Sequence, residues 1–170
     1  MVQLKARDIA IAALLASLWG VLNFTVSPIF FNITRLPILC DMLGVTSLVV
    51  AIWLSKKLGV GSLTGAIATV VTLALRPNAF YFLGFFVASV VFDLLSFLIG
   101  YNKIFERKSF LLAISTASMG VAGFIIGYVF MNPGNFSFSL YWTALHMVGG
   151  AIGGAISVAL IEALKTKVKW

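Results

Sequence analysis

The chain has 170 residues, of which 61% are hydrophobic and only 10% charged. A soluble domain carries roughly 25% charged residues, so this sequence cannot cover itself with a water-facing surface. Its net charge of +7 does not point to nucleic acid either, because the basic residues fall in short clusters between apolar runs and do not gather on one polar face.

A helix that crosses a bilayer needs about 20 predominantly apolar residues, and six segments are predicted to do so. Lys5 and Arg7 ahead of an apolar run give the N-terminus the look of a signal peptide. Asp8 is out of place in such a segment and no A-x-A cleavage site precedes a soluble mature domain, so residues 8–23 read as the first membrane helix. The connection 23–37 mixes Asn23, Thr25, Ser27, Asn32, Thr34 and Arg35 with the apolar triplet Ile29-Phe30-Phe31. A solvated linker has no use for that triplet. A segment folded back over the mouth of the bundle does, and long ordered loops are often lids. Phe30 or Phe31 is therefore expected to face the mouth, with interfacial anchoring as the alternative.

The second helix, 38–55, starts beside Cys40, the one cysteine of the chain. A single cysteine excludes an internal disulfide and a multi-cysteine metal site, and this one reads as a small packing residue. The third helix, 59–76, ends at Pro77, which bars further helix for itself and for Arg76 before it. The fourth, 79–100, carries Asp93; the fifth spans 110–131, and after Pro133 and Gly134 the last spans 140–164. The chain thus reads as an all-α membrane protein, a single six-transmembrane-helix bundle in contact with lipid. If both termini are cytoplasmic, Lys5, Arg7, Lys56, Lys57, Lys103, Arg107, Lys108, Lys165, Lys167 and Lys169 lie inside, and only Arg35 and Arg76 outside. That asymmetry is the one membrane proteins use to set orientation.

Small residues recur four apart: Ala12, Ala16 and Gly20 on the first helix, Gly61 and Gly65 on the third, Gly123 and Gly127 on the fifth, and Gly149–Gly153 with Gly150–Gly154 on the last. Such spacing places them on one face and lets backbones approach closely. Most of it reads as packing within the bundle. The first-helix stripe starts at the cytoplasmic end, where a partner would dock. Among polar positions, Asp93 lies in the inner half, with Ser89 and Ser96 on its face and Ser115 and Ser118 at similar depth. An intramembrane carboxylate is a functional candidate by default, tying helices together being the other reading. Trp142, His146, Gly149 and Gly153 share one face of the last helix, an aromatic ring and an imidazole above a glycine track. Arg35, Arg76, Asn78, Tyr81, Asn132 and Asn135 belong to the same outer layer, with Asp41 and Tyr141. With Trp142 and His146 they are the candidate ligand-binding residues.

There is no GxxxxGK[ST] phosphate loop, no HExxH and no cysteine–histidine metal cluster; no cofactor, metal or catalytic residue is expected. His146-x-x-Gly149-x-x-x-Gly153 matches the histidine helix of rhomboid proteases, but the serine candidate, Thr116-Ala117-Ser118-Met119, lacks their GxSG motif.

Six short helices, cytoplasmic termini, a long first outer loop and the Ala12-x-x-x-Ala16 stripe resemble the substrate-binding S components of energy-coupling factor transporters. The resemblance covers the whole chain at the level of layout and rests on one common motif. It implies capture of a vitamin or a precursor at the outer face of a prokaryotic plasma membrane, with a separate transmembrane coupling protein and two ATPase subunits supplying energy. It also makes Ala12, Ala16 and Gly20 the expected docking stripe. Two other readings stand beside it: a self-sufficient transporter or channel with Asp93 as an ion or proton relay, and an intramembrane enzyme.

Overall fold

An apolar chain without water around it must close its backbone hydrogen bonds within its own segments, and helices do this locally. The computed structural model of the protein describes residues 3–166, and every element among them is helical. Lys167 and Lys169 lie outside the described residues. In chain order the helices are α1 (Ala6–Thr25), α2 (Ser27–Thr34), α3 (Ile38–Ser55), α4 (Val60–Leu75), α5 (Leu83–Ile99), α6 (Tyr101–Glu106), α7 (Lys108–Ile125) and α8 (Phe136–Lys165). A single 3-10 turn, Phe80–Phe82, leads into α5, and a π turn, Ile126–Met131, continues α7. Among the described residues five stretches are long and apolar enough to cross a membrane: Ala6–Thr25, Ile38–Ser55, Phe80–Ile99, Lys108–Met131 and Phe136–Lys165. The apolar α4 has only 16 residues.

The structure differs from the sequence expectation at three connections. The segment 23–37 is helical, not a loop: α1 runs on to Thr25, and α2 follows after Val26. Pro28 stands in the first turn of α2, where a missing N–H costs nothing, and Arg35 ends it in the left-handed conformation at φ 60°. The last helix starts at Phe136, because the Asn135 side chain caps it by accepting from the Phe138 backbone N–H at 3.0 Å. The basic connection after α5 holds the short helix α6.

Contacts define the two ends of the bundle. At one, Lys57 pairs with Asp8 at 2.7 Å, the Arg7 guanidinium donates to the Leu54 carbonyl, Lys165 donates to the Phe105 carbonyl, and Lys108 pairs with Glu162. At the other, Arg76 sits 5.9 Å over the ring of Phe24, near α2.

Glycines let α8 lie close to two neighbours at once. Gly149 and Gly153 face Asp41, Met42 and Val45 of α3, while Gly150 and Gly154 face Ser115 and Met119 of α7. A Cβ at any of these four positions would press on those neighbours, the close approach that small residues provide between membrane helices.

The α1 stripe needs a correction. Ala12 and Ala16 have no exposed surface, and Gly20 is buried against Ala68 and Val71 of α4. The stripe is an internal seam of α1 against its neighbours, Gly20 meeting α4 and Ala12 packing with Ala51 of α3 and Val60 of α4. It presents nothing to a docking partner. Ala16→Leu is accordingly expected to overpack the seam by about 1–3 kcal/mol. Thermal unfolding in detergent should then show a lower midpoint, and ligand binding should fall only in step with the folded fraction.

Candidate functional site

At the end of the bundle capped by α2 the helices enclose a cavity of about 320 Å³. Its roof is α2 itself, which turns Ser27, Pro28, Phe31 and Asn32 toward it. Of the two phenylalanines expected to face the mouth, Phe31 lines the cavity. Asn23, from the last turn of α1, and Cys40, from the first turn of α3, form one wall. Arg76 and Tyr81 contribute from the break that Pro77 imposes between α4 and α5. The π turn brings Ile126 and Met131 to the cavity together, although residues five apart diverge on a regular α-helix. Inserted π turns of this kind are frequent at functional sites.

The far wall is α8, where Trp142 and His146, one turn apart, stand with ring centroids 5.9 Å from each other. Phe138 stacks behind Trp142 at 5.7 Å, and Phe31 meets it edge-on at 6.3 Å. Phe85 meets His146 edge-on at 5.6 Å. The imidazole is held from behind: its Nδ1 lies 2.7 Å from Oδ1 of Asp41, a fully buried carboxylate 105 residues away in sequence. With Nδ1 engaged there, the ring orientation is fixed, and Nε2 is left without a partner in the protein. Trp142 Nε1, His146 Nε2 and Asn23 Oδ1 are buried and have no hydrogen-bond partner in the protein. Ser27 Oγ, on the roof, is a fourth such atom among the lining residues, and others, Trp19 Nε1 and Ser118 Oγ among them, lie away from the cavity; a polar guest is one way to satisfy those at the cavity.

Inward of His146 the bundle closes. Val45, Leu48, Phe92 and Met119 have no exposed surface, and none of them lines the cavity. Trp19, also fully buried, fits the notch left by Gly44 and packs on Phe82 and Phe85. The cavity is therefore a blind pocket, within the roughly 300–1,000 Å³ range of small-molecule sites.

Of the eight candidate ligand residues, Arg76, Tyr81, Trp142 and His146 come together here. Arg35, Asn78, Asn132 and Asn135 do not line the cavity; all four are exposed at the same end. Arg35 terminates α2 and Asn135 caps α8. Sequence reasoning missed Asn23, Ser27, Cys40 and Phe85 as lining residues, although the Asn23–Ser27 spacing of four was a legible signal of a shared face.

Asp93 belongs to another structure. Its Oδ2 accepts from the backbone N–H groups of Gly59 and Ser62, each at 2.9 Å, and from the Ser62 hydroxyl at 2.8 Å. It caps the start of α4 from α5, where the helix dipole favours a negative charge. That is a structural bond between two helices, the helix-tying reading of Asp93, while its Oδ1 is buried without a partner. Asp93→Asn is expected to cost about 1–3 kcal/mol through lost charge-assisted bonds, read as a lower unfolding midpoint. Ligand affinity measured on the folded fraction should be unchanged.

Comparison of the chain with protein-family models, with curated proteins and with solved structures finds no match in any of the three.

Proposed function

We propose that the chain is the substrate-capture subunit of a micronutrient uptake system, binding a vitamin or a vitamin precursor at the outer face of a prokaryotic plasma membrane. In this reading the chain spans the membrane six times, α4 being the short span, accommodated by local thinning of the bilayer. Both termini are cytoplasmic. The distribution of charge supports that orientation, since the cavity lies at the end opposite Lys5, Arg7, Lys56 and Lys57, and basic residues favour the cytoplasmic side.

The observation that carries the proposal is the blind cavity itself, roofed by α2 and sealed inward by packed side chains. A channel needs a path through the bundle; a receptor needs a closed pocket on one side. The sequence contains no phosphate loop, so energy for release and transport would come from separate subunits, a transmembrane coupling protein and two ATPases. Those subunits would dock on a surface other than the buried α1 seam.

Affinity in the nanomolar range requires about 12 kcal/mol, which a mostly apolar pocket with a few placed polar groups can supply. Native mass spectrometry of gently purified protein tests the reading. A small molecule retained at one per chain is the expected result, and its loss in Trp142→Ala ties it to this cavity. Protein that carries no ligand and gains none from a vitamin mixture contradicts the reading. So does uptake into liposomes by the chain alone without ATP.

A further inference from the structure

Charge around the cavity is one-sided, and that bears on what chemistry it captures. At the α2 end the described basic residues are Arg35 and Arg76, while the acidic residue there, Asp41, is already engaged by His146. The free oxygen of Asp41, Oδ2, is packed against Gly149 and does not line the cavity. A cationic guest would therefore find no carboxylate to meet.

Arg76 is the cation at the cavity wall. It lies half-buried there, with the ring of Phe24 as its neighbour and no carboxylate. A guanidinium presents a planar fork of donors that matches a carboxylate or phosphate in two parallel hydrogen bonds. In a mouth walled by low-dielectric side chains its field also draws anions.

The walls restrict shape as well. Trp142 is held by Phe138 behind it and Phe31 at its edge, and His146 by Asp41 and Phe85. These rings are fixed in place, so they suit a flat guest that stacks or meets them edge-on. The unpartnered Trp142 Nε1–H needs an acceptor, and Nε2 of His146 stands one helical turn deeper. A ring heteroatom that reached either would supply the missing partner.

We infer that the cavity takes a planar, heteroatom-bearing ring compound with an anionic substituent, the ring lying against Trp142 and Phe85 and the anion meeting Arg76. This rests on the capture reading and names the class of its substrate.

Three matched probes test it: indole-3-carboxylate, indole-3-carboxamide and 3-(aminomethyl)indole, which share a ring and differ in charge. Each is titrated at millimolar concentration against wild-type and Arg76→Gln protein in nanodiscs, with thermal protection and calorimetric affinity as readouts. The carboxylate is expected to protect most and the amine least. Arg76→Gln is expected to lower carboxylate affinity about tenfold, the scale of one charge-assisted hydrogen bond, and carboxamide affinity by less. Equal or stronger binding of the amide or amine, or an unchanged carboxylate affinity in Arg76→Gln, overturns the anionic class and leaves capture standing. Protection by none of the three also overturns the inference. The capture reading falls with it only if the native mass spectrum likewise shows no retained small molecule.

Discussion

His146→Leu is expected to destabilise the folded bundle by about 1–3 kcal/mol, the scale of leaving a buried polar group without its hydrogen-bond partner. The imidazole is the hydrogen-bond partner of Asp41, whose carboxylate is fully buried between α3 and α8. Leucine fills a similar volume, so the loss would come from the stranded carboxylate more than from packing. The companion variant separates the two causes. Asp41→Asn combined with His146→Leu removes the charge together with its partner, and is expected to recover a substantial part of the loss. A double-mutant cycle of unfolding free energies in detergent would show coupling between the positions. Additive effects would mean that the 2.7 Å contact contributes nothing to stability.

Trp19→Ala is expected to cost more, about 3–5 kcal/mol, as other large aromatic truncations in packed interiors do. Inside a membrane bundle the gain from excluding water is small, because lipid is as apolar as the core. The cost would therefore come from the dispersion attraction that the atoms around the void forfeit. Trp19 occupies the Gly44 notch of α3 and touches Phe82 and Phe85, so its removal loosens α1, α3 and the start of α5 together. Trp19 does not line the cavity, and the affinity of the surviving folded protein should change less than its stability. A midpoint of unfolding equal to wild type would contradict the packing described here.

The helical class and most of the helix bounds were legible because apolar runs, Pro77 and the basic clusters are local signals. Trp142 and His146 were legible as a pair because spacing along one helix gives a common face. Their partner was not. Periodicity says which residues share a face but not which other helix that face meets, so Asp41 could be placed only in the same layer. The same limit explains the α1 stripe: Ala12, Ala16 and Gly20 are legible as a smooth surface, and only tertiary packing shows that its neighbours cover it. The helix α2 was hidden for a different reason. Asn, Ser, Thr and Pro favour turns on local grounds, yet a proline in the first turn and an apolar triplet suffice when the helix closes over a cavity. Asn78 and Asn132 looked like site residues because polar groups are scarce in this chain. At its ends they are simply exposed.

Cys40 offers the most direct test of an outward-facing blind cavity, because it is the one cysteine in the chain and lies in the cavity wall. Wild-type protein is incorporated into vesicles of defined orientation, and a small membrane-impermeant thiol reagent is supplied on one side at a time. Modification is expected from the side opposite Lys5 and Arg7, with little or none from their own side, and with protection when the cavity is occupied. Equal modification from both sides, or modification only from the side of Lys5 and Arg7, would contradict it.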